Sequence, residues 1–292
     1  VAFALVTNDL FYPFQTFELG DFEYKKDRGY MFEDQLHENT GHIMDKSIGD
    51  YYIYEQQGII PMMVFTPVIL NDERKLIISA QKMSYLMRPP FGNLQPDYNE
   101  IDAVDFQRLF QLHKANDLRL STAIRMNATF PYILPNVHLP TEPGISVMDA
   151  GFRDNFGQET AMRFLYEFHE WVNANSSGVI FLQIRAFERR EEIEDDEQET
   201  IVSGALKPAA ALYSNWTRMQ DFNQTYQLSY LSKFLDVPLT IVTMEYKPEG
   251  EDKTSLSLHL TTKEKADIAK AIGNEEFMDD MERLKKAFQA RQ

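Results

Sequence analysis

The chain has 292 residues, 43% hydrophobic and 13% aromatic, enough for a core of ordinary size in one large domain or two small ones. Its 45 acidic residues outnumber 29 basic ones, and the net charge of -16 repels nucleic-acid phosphates and gives no electrostatic draw toward anionic lipid. There is no cysteine, which excludes disulfides, thiol catalysis and Cys-based zinc sites.

No apolar run approaches the roughly 20 residues that span a bilayer. The opening Val1–Val6 is too short for a signal peptide and has no basic n-region. Val1 falls within an apolar run, so the expectation is that the chain is the C-terminal portion of a longer protein, a single domain over 1–292. Composition leaves the compartment open; a cytoplasmic or peripheral-membrane place fits it best.

In chain order, residues 1–57 are rich in aromatics and charge. Met62–Thr66 reads as a strand extended past Pro67 to Leu70, and Asn71-Asp72 as a turn. Lys75–Ala80 is then the second strand of a hairpin. Ile101–Asn116 reads as helical, with Val104, Leu109 and Leu112 among its apolar residues, and Leu118–Met126 as a second helix. Phe130-Pro131 and Leu134-Pro135 break helix and set extended backbone.

Ile145–Met148 is a short strand that ends on an Asp149-Ala150-Gly151 turn. A helix follows, with Ala161, Phe164, Leu165, Phe168 and Val172 at helical spacing and a stop over Asn173–Gly178. The apolar run Val179–Ile184 suits a strand buried on both faces of a parallel sheet, and Val237–Glu245 is similar. Between them Glu188–Glu199 reads as a solvated acidic loop. Leu256, Leu258 and Leu260 alternate with polar residues as in a half-buried strand. Thr261 and Glu264 form a capping box for a helix through Ile272, and Asn274 caps a last helix bearing Phe277, Met281, Leu284 and Phe288. Strands alternating with helices give an α/β fold.

Chemistry concentrates at Asp149, an acid on a strand-end turn with glycine behind it. Asp154 and Asn155 are placed to cap the following helix through its free N–H groups. The six histidines (His37, His42, His113, His138, His169, His259) show no H-E-x-x-H spacing and read as non-ligands. G-x-S-x-G, G-x-G-x-x-G and the P-loop do not occur in the 292 residues.

The stretch Ser121–Pro131 followed by Asp149-Ala150-Gly151 resembles the patatin-like acyl hydrolase (phospholipase) family, in which an A-[ST]-x-A-x-P-x-x-F-P-type segment leads to a strand ending in D-G-[GA]. Pro61–Leu70 is similar to that family's strand after the nucleophile helix, and Phe11–Glu33 and Ser257–Ile268 to features of a bacterial branch. The resemblance implies a three-layer α/β/α fold with a central, mostly parallel sheet, incomplete at the N-terminus.

It also implies a Ser-Asp dyad acting on a lipid or other carboxylic ester, with Asp149 as the base. Asn127, Phe130, Gly151 and Asn155 would then lie by the cleft, and the serine upstream of this chain. No cofactor or metal is implied, no nucleic-acid partner, and peripheral membrane contact is compatible with such a substrate. Oligomeric state is left open. An ordinary aspartate, pKa about 3.9, is a weak base for a serine hydroxyl. It works only when proton transfer accompanies attack and preorganised donors hold the oxyanion. The 292 residues alone are therefore expected to be inactive. The alternatives are a non-catalytic remnant or interaction module of the same fold, and an unrelated α/β binding domain.

Overall fold

The computed structural model describes residues 16–19, 22–25, 27–89, 101–129, 134–186, 201–247 and 261–290. The chain divides into two compact units, Val1–Glu167 and Phe168–Gln292. Both combine helices with strands, as the α/β reading expects.

The first unit begins with an antiparallel hairpin, β1 (Thr16–Leu19) and β2 (Phe22–Lys25). Helix α1 (Arg28–Asn39) follows, its N-cap Asp27 accepting the N–H of Tyr30 at 3.0 Å, and then the short α2 (Tyr52–Gln56). Five strands form the main sheet: β3 (Val68–Ile69), β4 (Lys75–Ile77), β5 (Ala103–Asp105), β6 (Val137–Leu139) and β7 (Ile145–Met148), in the order β5-β4-β3-β7-β6. The sheet is mixed: β4 and β5 run parallel, and the β3–β4, β3–β7 and β6–β7 pairs are antiparallel. The expected hairpin is there, with Val68 opposite Lys75, but its first strand is shorter than the run Met62–Leu70. Just upstream of β3, Phe65 pairs with Ile78 as an isolated bridge.

The helix expected over Ile101–Asn116 is corrected: it starts as strand, and only four of its residues, Phe106–Leu109, are α-helix, with turns and a 3-10 turn after them. Ala103–Asp105 is strand, because Ala103 and Val104 pair in parallel with Lys75 and Leu76 and are worth more there as sheet core. Asp105 then ends the strand. Its carboxylate accepts the N–H of Gln107 at 2.9 Å, so helical backbone begins only at the short α3 (Phe106–Leu109). Leu112, counted on the apolar stripe, is 84% exposed.

Pleating gives the sheet two different faces. Leu76 and Ile78 pack with Ile69, Val147 and Phe106, and with Ala123 and Met126 of α4 (Leu120–Asn127). On the other face Ile77 and Ala103 pack with Met83 and Leu86 and against Phe164 of α6 (Gln158–Glu167). Between β7 and α6 lies the single turn α5 (Gly151–Asp154).

Helices α1 and α4 are held together by a buried ionic cluster. Arg125 donates to Asp27 at 3.0 Å and to Glu33 at 3.4 Å, while Thr122 donates to Glu33 at 2.9 Å. The guanidinium lies directly over Gly29: a Cβ there would fall 1.9 Å from Arg125 Cζ.

In the second unit the expected strands β8 (Val179–Arg185) and β9 (Leu239–Glu245) pair in parallel over seven residues. Preceding β8 is α7 (His169–Asn175), so the long helix expected after Gly157 is broken at Phe168 into α6 and α7. Burial on both faces of β8 is corrected as well. Phe181, Gln183 and Arg185 are buried, but Leu182 and Ile184 alternate with them and are exposed. The polar members of the buried row explain the choice of face. Arg185 donates to Asp221 of α8 (Ile201–Leu231), and Gln183 accepts from Thr243 of β9 at 3.0 Å.

Helix α8 has no counterpart in the sequence reading. Its inward row, Asp221, Gln224, Leu228 and Leu231, is half polar, while Trp216, Met219, Phe222, Tyr226 and Tyr230 are exposed, so hydrophobic periodicity does not mark it. The two capping predictions hold. Thr261 and Glu264 exchange reciprocal bonds at the start of α9 (Thr262–Ala271), and Asn274 accepts the N–H of Phe277 at 2.8 Å at the start of α10 (Glu275–Gln289). Within α10, Phe277 and Leu284 are half-buried, but Met281 and Phe288 are exposed. The acidic run 188–199 and the strand predicted at 256–260 lie outside the described residues. Among the described residues no helix is long and apolar enough to cross a membrane.

The contact at Gly29 sets a test. Gly29→Ala must displace a guanidinium held by two carboxylates, and overpacking of that kind costs about 1–3 kcal/mol. Urea denaturation of the variant measures it.

Candidate active site at the end of strand β7

Asp149 is the first residue beyond β7, and its position is set from both sides. Behind it, the end of α4 supplies carbonyls: Asp149 donates its N–H to Thr129 O at 3.2 Å, and Ala150 to Asn127 O at 3.3 Å. The Asn127 side chain turns the other way and accepts the N–H of Thr66 at 2.8 Å. Asn127 therefore ties together the segment leading into β3 and the turn leaving β7. Thr129 is itself fixed, its hydroxyl donating to Arg125 O at 2.6 Å.

Ahead of Asp149 the backbone enters α5. Gly151 donates its N–H to Asp149 Oδ1 at 2.6 Å. The second oxygen, Oδ2, has no hydrogen-bond partner among the described residues, and the side chain is half-buried. Burial raises its pKa above the ordinary 3.8, and the Gly151 N–H opposes that only in part. The result is a carboxylate with one oxygen anchored, one available, and an enhanced affinity for a proton.

Asp154 performs the capping role read from the sequence. Its Oδ1 accepts the N–H of Glu159 at 3.0 Å, and its Oδ2 accepts both the N–H and the hydroxyl of Thr160, at 2.8 and 2.7 Å. Asn155 follows α5 and is exposed. Of the four residues expected beside the cleft, Gly151 bonds Asp149 directly and Asn127 bonds the next residue, Ala150. Asn155 follows α5 in the same turn, and Phe130 lies outside the described residues.

Helix α6 is pinned beneath this turn by charges that sequence reading missed. Lys75, the first residue of β4, is 1% exposed and donates to Glu159 Oε2 at 3.0 Å. Glu159 also accepts from Arg163 one turn further along α6. Arg163 forks onto Asp102, with 2.8 Å from Nη1 to Oδ1. Arg153 of α5 bonds the same Asp102 at 3.3 Å and Glu73 O at 3.0 Å.

Burial works against the charge of Glu159, but Lys75 and Arg163 together outweigh it and hold its pKa below the ordinary range. Asp102 is held down likewise, burial being outweighed chiefly by Arg163. For Lys75 the balance goes the other way. Burial and the nearby Arg163 press its pKa down, and Glu159 restores only part. Alternation within β4 was the available signal: Lys75 shares its face with Ile77, a lysine at a core position.

Among the histidines, the structure places Ser121, His37 and Asp45 in a row resembling a triad. His37 Nε2 is 3.1 Å from Ser121 Oγ, and its Nδ1 is 3.9 Å from Asp45 Oδ1. The row is not a nucleophilic site, because Ser121 is completely buried and its hydroxyl donates to Glu33 at 3.3 Å. His138 bonds Ser146 at 2.8 Å on the surface of the β6–β7 pair.

Comparison with known protein families, with curated proteins and with solved structures finds no match to the chain.

Two tests follow from this geometry. Glu159→Gln leaves the Lys75 ammonium buried without its anion, and a broken buried pair costs about 3 kcal/mol in denaturation experiments. For Asp149 the pKa is raised on folding, so its contribution is full below the ordinary carboxylate pKa and is lost as pH rises through the native value. Asp149→Asn keeps an acceptor for Gly151 N–H without the desolvated charge. The variant is therefore more stable than the unsubstituted protein at about pH 7, and the gap closes at about pH 3, below the ordinary aspartate pKa.

Proposed function

We propose that the chain carries the aspartate half of a Ser-Asp acyl hydrolase that cleaves lipid or other carboxylic esters. The observation that carries this is Asp149: a half-buried strand-end carboxylate with one oxygen fixed by Gly151 N–H and the other open. The patatin-like succession from Ser121 to Gly151 supports the same role. In this reading the serine lies in a G-x-S-x-G turn outside the 292 residues. Asp149 Oδ2 takes its proton as the serine oxygen attacks the ester carbonyl, then passes that proton to the departing alcohol. Water, deprotonated by the same carboxylate, releases the acyl group.

The fold belongs to the proposal too: a patatin-like three-layer α/β/α arrangement, for which α4 and α6 on opposite faces of the sheet speak. A lipid substrate would bring peripheral contact with a membrane surface. The exposed Leu182 and Ile184 favour a second reading, a non-catalytic interaction module built on the same fold.

Hydrolysis of a short p-nitrophenyl ester separates them. The 292-residue chain is expected to show no turnover, and the protein extended to include the serine turn to show it. Asp149→Asn in the extended protein should lower the rate at least about 10²-fold, the scale of a lost catalytic base, with the circular dichroism unchanged. Turnover by the short chain, or full activity in the variant, overturns the dyad assignment. An inert extended protein leaves the interaction module as the reading.

A further inference from the structure

Helix α1 ends in a left-handed turn that brings three metal-ligating side chains to one place. Gly41 and His42 both have positive φ, 58° and 60°, and His42 N–H closes back on His37 O at 2.8 Å. The chain reverses there, so the His42 ring lies stacked on that of His37, centroids 6.4 Å apart. Asp45 follows three residues later. One nitrogen from each histidine and one oxygen of Asp45 fall within 4.8 Å of one another.

His37 gives the cluster a reason to hold an ion. The residue is 4% exposed, and its Nδ1 is a buried polar atom with no hydrogen-bond partner among the described residues. Nδ1 points toward Asp45 Oδ1 at 3.9 Å, beyond hydrogen-bond range. An atom so placed costs free energy unless something of the right charge completes it. Its other nitrogen is already provided for: Nε2 reaches Ser121 Oγ at 3.1 Å, and Ser121 Oγ reaches Glu33 Oε2 at 3.3 Å. A histidine that ligates through one nitrogen and donates its other N–H into a hydroxyl–carboxylate chain is held in the tautomer and orientation that metal binding needs.

We propose that His37 Nδ1, His42 and Asp45 bind a divalent transition-metal ion of the zinc type, which clips the end of α1 to the loop that follows it. Two imidazoles and one carboxylate are a borderline donor set suited to zinc, with water as fourth ligand. Donors on one tetrahedral ion sit about 3.4 Å apart, given bonds of about 2.1 Å, so the exposed His42 and Asp45 close by about an ångström while buried His37 stays in place.

Arg119 is the group that opposes the ion. Its Nη2 lies 3.0 Å from His37 Nε2 and 3.2 Å from Asp45 Oδ1. When the ion binds Nδ1, the ring proton moves to Nε2 and is donated to Ser121, and Arg119, which is only partly buried, swings away. Arginine thus competes with the metal for Asp45 and for the tautomer of His37.

Calorimetric titration of zinc into the chelator-treated protein tests this. One equivalent is expected to bind and to raise the melting temperature. His42→Ala and Asp45→Asn, both at exposed positions that keep the fold by circular dichroism, should each weaken binding at least about tenfold and abolish that rise. Arg119→Ala should bind zinc more tightly than the unsubstituted protein. The site is refuted if the unsubstituted protein takes up no zinc, if the His42 and Asp45 variants bind as tightly as it does, or if His138→Ala weakens binding as much as they do.

Discussion

Lys75 stands within the main sheet with almost none of its surface exposed, and an ammonium ion in that position has to be met by anions delivered from elsewhere in the chain. Glu159 meets it from α6, Arg163 shares Glu159 one turn on, and Asp102 closes the set from the residue before β5. These groups come from three separate stretches of sequence. Each is satisfied only when the other two are in place, so the network permits one docking of α6 on the sheet and penalises the alternatives. Arg153 draws α5 into the same arrangement through Asp102.

The position of Asp149 is a consequence. Its turn is held on one side by carbonyls at the end of α4 and on the other by α5, which the charge network and the Asp154 cap keep in register with α6. Glu159 and Asp102 are also buried, yet their arginine and lysine neighbours hold them ionised, whereas among the described residues Asp149 is met by the Gly151 N–H and shifts toward its protonated form. The same burial therefore goes with ionised carboxylates in one place and a carboxylate of raised proton affinity at Asp149. The difference lies wholly in which charges stand opposite.

The end of α1 shows the same principle applied to histidine. His37 has one nitrogen well provided for and one facing a carboxylate that is too far away to bond it. Arg119 bonds the other nitrogen, Nε2, and Asp45, and so leaves Nδ1 unbonded among the described residues. Interactions that cross from α1 to α4, at Arg125 and at Ser121, hold the histidine ring in its orientation, so the position of the cluster depends on helix packing and not on the local turn alone.

Local chemistry was readable from the chain itself. The capping box at Thr261, the caps at Asn274 and Asp154, the strand Ile145–Met148 and the hairpin turn at Asn71-Asp72 all involve residues within a few positions of one another, where spacing alone dictates which N–H meets which oxygen. Asp149 on a strand-end turn was legible for the same reason. Tertiary structure alone decided that Ala103–Asp105 is strand, since its partner β4 lies some 28 residues upstream (Lys75 against Ala103) and no periodicity within the segment carries that information. It also decided that β8 buries a row containing Gln183 and Arg185 and exposes Leu182 and Ile184, because Asp221 of α8 supplies the counter-charge. The approach of His37, His42 and Asp45 required the left-handed turn at Gly41-His42, and the availability of Asp149 Oδ2 required knowing that among the described residues it has no hydrogen-bond partner. Hydrophobic pattern and capping act over one or two turns of chain; charge pairing and burial act across it, and those are what made a site out of residues that the sequence leaves scattered.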